Sequence, residues 1–489
     1  MKNYSKTKIG LRRASSRREG IKSISRRDFM SGVAATMGFT IVPRYVLGGT
    51  RNISPNEKIN IACIGVGDQG TRDLKTFLDK PDTRIVAVCD VDAGNRDRAK
   101  RIVDEKYQNT DCAAYTDFHI MLAKHKDFDA VLVVTPDHTH AVISIMAMKA
   151  GKHVYCQKPL CHSVFEAQKL AEVAREYKVA TQLGTVNQAS EGSRLLREWI
   201  WDGAIGPVRE VHNWSNRPIW PQDIDRPKDT PPVPPTLDWD LWLGPAPSRP
   251  YHPAYLPLVW RGWRDFGTGA LGDMGCYSFD TIFRVLKLEH PTSIEASCSE
   301  FSPKMWAPLE LNKETYPRAS IIRWELPTRQ GLPALEDTAR MAVPRDMPPV
   351  KLFWYDGGLL PAEPEELQGQ KMPNEGLLFV GDNGKILSGF AGEDPRLIPD
   401  SKMQAYKQPP GTIARSIGHH EEWLSACRGG RPAGANFEFS GMVTRTLLLG
   451  NVAIRVRKKL YWDGPNMKIT NISEANEFLH RQYRQGWQL

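Results

Sequence analysis

Apolar and polar positions change rhythm several times along this chain, and the changes mark its elements. "KINIACIGV" (58–66) is a β-branched apolar run that passes into glycines and then the helical stretch "TRDLKTFLD" (71–79). Similar runs recur at "RIVAVCD" (84–90), at "DAVLVVTPDHTHA" (129–141, breaking at Pro136 into a helix to about Gly151), at "KHVYCQKPL" (152–160) and at "VATQLG" (179–184). Unbroken apolar runs belong to strands covered on both faces. Alternating with helices, they predict a parallel doubly wound sheet. Ser163 and Glu166 have the spacing of a capping box, opening a helix to about Tyr177.

Later the rhythm is different. Alternating segments near 293–301, 318–326, 350–356 and 376–388 predict a large, mostly antiparallel sheet, and 418–430 and 439–456 read as two closing helices. His419 and His420 are expected at the surface or at a cap. Twelve prolines between 218 and 257 predict a long extended loop rather than a helix or central strand. The fold class expected is α/β. An N-terminal doubly wound parallel (Rossmann) sheet over 57–186 precedes a C-terminal α+β domain, 187–489, built on the antiparallel sheet.

Charge adds a third segment. The chain of 489 residues carries 65 Lys or Arg against 56 Asp or Glu, a net of +9. Ten of the basic residues and only Glu19 and Asp28 fall in residues 1–30, so that leader holds +8 and the remainder +1. A nucleic-acid footprint is therefore not indicated. Arg26 and Arg27, followed by Phe29 and the mildly apolar "SGVAATMGFTIV", predict a twin-arginine export signal and arm over 1–49, with a periplasmic destination. Without use of the leader the protein would stay cytoplasmic. No later run is apolar enough to span a bilayer. The eight cysteines include no CxxC pair, and Cys63 and Cys89 lie within strand runs, so neither a disulfide framework nor a zinc site is expected.

The candidate chemistry starts at Gly65-Val66-Gly67-Asp68-Gln69-Gly70. Strand, glycine loop and helix together form the context in which such glycines admit a pyrophosphate to a helix N-terminus. Asp90 closes the second strand, where an acid accepts from ribose hydroxyls and repels a 2′-phosphate. This favours NAD, with NADP kept open by Arg96 and Arg98. The ligand should lie beyond the strand ends, at Thr135-Pro136-Asp137 and Gln157-Lys158-Pro159. Lys158 falls where the nicotinamide is expected, and partial burial would lower its pKa enough for proton transfer. The spacing of Asp137, His138 and His140 is too loose for a metal. In "GTGALGDMGCYSFD" (267–280), glycines lead to a helix start at which Asp273 and Tyr277, four residues apart, share a face.

Taken as a set, GVGDQG, TPDHTH, QKP and DMGCYSFD resemble the Gfo/Idh/MocA oxidoreductases over roughly residues 57–465. The resemblance implies a cofactor site of Gly65, Val66, Gly67, Asp68, Gln69, Gly70, Asp90, Thr135, Pro136, Asp137, His140, Gln157, Lys158 and Asn187. It also implies Lys158, Tyr277 and Asp273 as catalytic residues, with Asp273 positioning substrate. The chain departs from the family's usual pattern twice. Gln157 replaces the glutamate of Glu-Lys-Pro, and Tyr277 stands where most relatives have histidine, as it does in glucose–fructose oxidoreductase. Family members also oligomerise through the outer face of the C-terminal sheet, so a homo-dimer or tetramer is implied.

All fourteen tryptophans lie at or beyond residue 199, several of them clustered in 211–220, 237–247 and 259–269. Indole faces beside Asn, Arg and Asp suit a carbohydrate, and although most of the tryptophans are expected to fill the core of the large sheet, Trp214, Arg217, Trp263, Asp273 and Tyr277 form the expected substrate set. The function expected is NAD(P)-dependent hydride transfer to or from a secondary hydroxyl of a sugar, glycoside or polyol. Two alternatives stay open: an NAD-dependent glycosidase working by transient oxidation and elimination, and a sugar-binding protein without catalysis.

Overall fold

The computed structural model describes residues 57–302, 304–329 and 346–489, so the twin-arginine segment 1–49 lies outside the described residues. Residues 58–489 pack as one unit. The first sheet is formed by β1 (Ile59–Ile64), β2 (Thr83–Cys89), β3 (Ala113–Tyr115), β4 (Ala130–Val133), β5 (His153–Cys156) and β6 (Thr181–Leu183). All pairs are parallel, in the order β3-β2-β1-β4-β5-β6. The chain leaves β1 in one direction for β2 and β3 and resumes on its other side with β4. A doubly wound sheet opens its ligand crevice at that reversal, beyond the strand C-termini. β4 is buried at every position, which explains its unbroken apolar sequence. The Ser163–Glu166 capping box is present and opens the helix Val164–Tyr177.

The second sheet has nine strands: β7 (Val208–Trp214), β8 (Ser293–Cys298), β9 (Ser320–Leu326), β10 (Val350–Tyr355), β11 (Gly376–Gly381), β12 (Gly384–Ser388), β13 (Arg396–Ile398), β14 (Leu460–Asp463) and β15 (Lys468–Ile469). Their order is β13-β12-β11-β7-β10-β9-β8-β14-β15, antiparallel except where β10 runs parallel to β7. β7 is a central strand, although its sequence reads at first as part of a tryptophan-rich approach to the site. The segment 376–388 is a hairpin of two strands rather than one.

The helix Phe437–Val456 packs against both Val164–Tyr177 and Gly269–Leu286, and most of its residues are buried. It is thus a core element shared by the two sheets and not a cover. The proline-rich stretch is an extended loop that includes a short α-helix, Trp239–Leu243, and a single 3-10 turn, Pro253–Tyr255. It crosses to the first sheet, where Ala93 N–H donates to the Thr236 carbonyl (2.8 Å) and Asp238 N–H to the Val91 carbonyl (2.9 Å). These bonds place the loop over the end of β2. Among the described residues, no helix is long and apolar enough to cross a membrane.

Candidate active site

A cleft of about 970 Å³ opens beyond the ends of β1, β2, β4 and β5. Gly65, Gly67, Asp68, Gln69 and Gly70 line one wall, and Thr135 and Pro136 the facing one. Gly65 has φ +79°, and a Cβ there would sit 2.6 Å from the Val134 carbonyl oxygen. A Cβ on Gly70 would come within 2.0 Å of the Gly65 carbonyl oxygen, so only glycine lets the helix Asp68–Leu78 start this close to β1. The unpaired N–H groups of that helix start, with its positive dipole end, face the cleft. The cradle fits a dinucleotide pyrophosphate.

Asp90 lies on the cleft wall. Its Oδ2 accepts from Val66 N–H (2.8 Å) and its Oδ1 from Asp92 N–H (2.9 Å). Each oxygen keeps a lone pair for one ribose hydroxyl. Val66 itself is buried and serves through this backbone bond. Burial pushes the Asp90 carboxyl up to about 6 despite those two donors, so it remains mainly ionised at neutral pH. Arg98 is held by Asn95 (3.0 Å), and Arg96 is committed to Thr116 and Asp97. Replacing Asp90 with serine is expected to move the NADP/NAD affinity ratio about tenfold toward NADP. The change removes a like-charge repulsion of about 1–2 kcal/mol at an effective dielectric near 20. Titration of nucleotide-stripped protein with both cofactors measures this, and an unchanged ratio would separate Asp90 from the ribose.

Three residues expected at the cofactor lie behind the cleft wall instead. Asp137 is 1% exposed, with Oδ2 accepting from the Thr268 hydroxyl (2.7 Å), and burial pushes its carboxyl up to about 7. His140 lies between the two strand-end turns, its ring nitrogens 2.7 Å from the Pro159 carbonyl and 2.6 Å from the Thr135 carbonyl, and in its neutral form it donates to one of the two. Burial lowers its pKa to about 4, so it is neutral. Asn187 donates to the Tyr277 carbonyl (3.0 Å) and the Thr281 hydroxyl (3.2 Å), supporting the tyrosine from below.

At the β5 end, Lys158, Tyr277, Arg261 and Trp260 share the wall. The Lys158 ammonium lies 2.8 Å from Asp273 Oδ1 and 5.3 Å from the centroid of the Tyr277 ring. Asp273 and Tyr277 do share a face, but the helix begins at Gly269, a turn before Asp273. Asp273 is buried and its Oδ1 also accepts from Arg261 Nε (2.9 Å). Both cations use Oδ1, and Asp273 is not among the residues lining the cleft, which sets it behind Lys158 and Arg261 rather than at the expected substrate position. Its burial, which favours the neutral acid, is outweighed by Lys158 and Arg261, and the carboxyl lies below its ordinary range.

Lys158 shows the converse. Burial opposes its charge, but Asp273 and then Tyr277 more than offset this and hold its pKa above the usual lysine value. The expected lowering is absent because burial brings the lysine against a carboxylate. Lys158 is therefore held as a cation at neutral pH. Burial pushes the Tyr277 phenol up to about 12, with Lys158 pulling against that rise.

Gln157 is anchored by a residue to which sequence reading assigned no role. Its Nε2 donates to Asp73 Oδ2 (2.8 Å), Gln69 Nε2 donates to Asp73 Oδ1 (2.8 Å), and Lys158 N–H donates back to Gln157 Oε1 (3.1 Å). Asp73 is 6% exposed and lines the cleft. Changing Gln157 alone to glutamate would set two carboxylates against each other. The double change Asp73→Asn, Gln157→Glu restores an acid–amide pair in reverse. It is expected to recover about 1–3 kcal/mol of the stability lost by the singles, a coupling that urea unfolding of the four-member cycle reads. Additive losses would mean the two side chains do not interact.

The tryptophan expectation holds only in part. Trp214 is fully buried on the side of β7 packed by Leu367 and Met372, its indole N–H donating to the Pro373 carbonyl (2.8 Å). Arg217 pairs with Glu375 at 3.3 Å and does not line the cleft. Trp263, 1% exposed, donates to the Ala254 carbonyl (2.8 Å) and packs edge-on to Tyr255, so it braces the proline-rich loop from within. Trp242, Trp260 and Trp487 are the tryptophans at the cleft. His419 is buried, with its pKa lowered to about 3 by burial, and His420 lines the cleft; neither is a surface residue or a simple cap.

Residues 59–185 match the oxidoreductase family described as having an NAD-binding Rossmann fold, and 211–311 match that family's C-terminal alpha/beta domain. The chain belongs to the Gfo/Idh/MocA oxidoreductases. It is 30% identical to inositol 2-dehydrogenase of Salmonella paratyphi B over 156 residues, 32% of this chain and 45% of that protein. It is 32% identical over 161 residues to a glycosyl hydrolase family 109 protein of Saccharopolyspora erythraea, 31% of this chain and 34% of that one. The match thus spans less than half the length of these relatives. The fold is shared with the WlbA dehydrogenase of Bordetella pertussis, solved with NADH and UDP-GlcNAcA (TM-score 0.54, 14% identity, 83% of this chain and 99% of that one). The NAD-binding half of the family therefore coincides with the glycine cradle.

Proposed function

We propose that this protein transfers hydride between a tightly held NAD and a secondary hydroxyl of a sugar, glycoside or polyol. The observation that carries the reading is the Lys158 ammonium, fixed by Asp273 and seated over the Tyr277 ring at one end of the dinucleotide cleft. Bound NAD would supply the hydride acceptor. The chain's own residues handle the hydroxyl. Tyr277 takes its proton as the carbon loses hydride and the carbonyl forms, and returns it in the reverse direction. Lys158 stabilises the phenolate, and Asp273 holds Lys158 in place. The non-catalytic sugar-binding alternative leaves this buried Lys–Asp–Tyr arrangement without a purpose.

The proline-rich loop, bonded to residues 91 and 93 and lining the cleft through Leu237, Leu241 and Leu256, supports slow nucleotide exchange. The nucleotide is expected to survive dialysis and to be identified as NAD after denaturation of the purified protein. Sugars and polyols are then screened for its reduction in a single turnover. A protein purified without nucleotide, or one whose nucleotide no sugar or polyol reduces, argues against the reading. The likeness to a glycosyl hydrolase family 109 protein favours one second reading, transient oxidation followed by elimination. Cleavage of an aryl glycoside without net NADH would select it. Export through Arg26–Arg27 and self-association through the second sheet are part of the same proposal and are read by cell fractionation and sedimentation.

A further inference from the structure

We infer that the substrate of this cleft is a sugar acid, bound through its carboxylate by Arg261; the inference rests on the sugar-oxidoreductase reading. Arg261 lies in the short turn Val259–Gly262 and lines the cleft beside Lys158 and Tyr277. Its Nε is used by Asp273 (2.9 Å), and its Nη1 reaches only the Leu258 carbonyl at 3.3 Å. Nη2 has no hydrogen-bond partner among the described residues. The guanidinium lies over the Trp260 ring, 4.2 Å from its centroid, so indole supports one face while the edge remains free to donate. A guanidinium held at Nε and on one face is fixed in position before a ligand arrives.

Charge at this end of the cleft points the same way. Lys158 and Arg261 are two cations, and Asp273 is the carboxylate that both contact. Asp137, the other acid that senses both cations, has its carboxyl pushed up to about 7 by burial and carries only part of a charge at neutrality. Asp73 senses Arg72 rather than these two. A neutral sugar would cover this positive excess without pairing it, whereas a carboxylate pairs it through two parallel N–H donors. The donor set suits a carboxylate better than a phosphate dianion. One guanidinium edge is free, Lys158 is already committed to Asp273, and the helix N-terminus that faces the cleft belongs to the dinucleotide cradle.

The test uses the holoprotein and matched probes: D-glucose, D-galactose and D-mannose, their hexuronates, and D-glucose 6-phosphate. Tryptophan fluorescence reads binding, and single-turnover reduction of the bound nucleotide reads chemistry. At least one hexuronate is expected to bind about 10–100-fold tighter than its parent hexose, the range for a hydrogen bond between charged groups. Arg261→Gln should bring that ratio to within about threefold, and Arg261→Lys should retain part of it, with the nucleotide still bound in both. Equal binding of acid and hexose overturns the inference, as does a preference for the phosphate or an acid preference that Arg261→Gln leaves unchanged. A hexuronate that binds through Arg261 but never reduces the nucleotide upholds this inference while overturning the oxidoreductase reading. Binding of neither class overturns both.

Discussion

With phenylalanine in place of Tyr277, single-turnover hydride transfer is expected to slow by about 10²–10⁴-fold, the usual range for loss of a general acid or base. The ring and its packing beneath Lys158 remain, and only the titrating oxygen is removed. A phenol pushed up to about 12 is neutral at pH 7. It is therefore ready to donate in the carbonyl-reducing direction, where the wild-type rate should be flat through neutrality. In the oxidising direction the phenolate is the competent form, so the rate should rise with pH, approaching tenfold per unit, well below that pKa. Phenylalanine should remove this slope as well as lower the rate. Tyr277→His should recover part of the loss, because imidazole is a base of shorter reach in the same place. A Tyr277→Phe protein with wild-type single-turnover rates and an unchanged pH slope would reduce Tyr277 to a packed ring.

Tyr277 was legible because its companion Asp273 lies four residues away on the same helix, and helical periodicity alone places both on one face. The glycine cradle and Asp90 were legible for a similar reason, since a single strand–turn–helix unit carries its own geometry. What sequence missed depends on contacts between distant segments. Lys158 and Asp273 are 115 residues apart, and without that contact burial alone predicts a lowered lysine pKa. Arg261 is hidden in "VWRGWRD", a stretch whose tryptophans give it the character of a core or stacking segment, and Asp73 is one of several polar residues on an amphipathic helix. The second sheet was expected, but β7 was not recognised as its central strand, because the prolines that follow Trp214 gave the region the character of a loop. Indole faces were a poor guide for the opposite reason. Trp214 and Trp263 are among the largest fully buried side chains, and composition cannot tell a tryptophan that fills a core from one that lines a cleft.

Replacing Lys158 with methionine is expected to be at least as damaging as losing the phenol, about 10³-fold or more in the oxidising direction. Methionine keeps the length and most of the packing but removes the charge. Burial, the largest influence on Tyr277, would then act without the cation that opposes it, and the phenol would rise above about 12. The phenolate fraction at any working pH falls by the same factor, so the oxidation profile should shift bodily to higher pH while keeping its slope. Catalysis also loses a fixed positive charge beside the oxygen on which negative charge develops, an effect worth about 10²–10³-fold for a single preorganised donor. Asp273 stays paired with Arg261 through Nε, so the variant is spared an unpaired buried carboxylate and should fold and retain nucleotide. Lys158→Arg restores the charge but spreads it over a broader, planar group, so partial recovery is expected. An unshifted oxidation profile in Lys158→Met, measured in single turnovers with nucleotide bound, would show that the phenol ionises without help from Lys158 and would leave the cation a purely structural partner of Asp273.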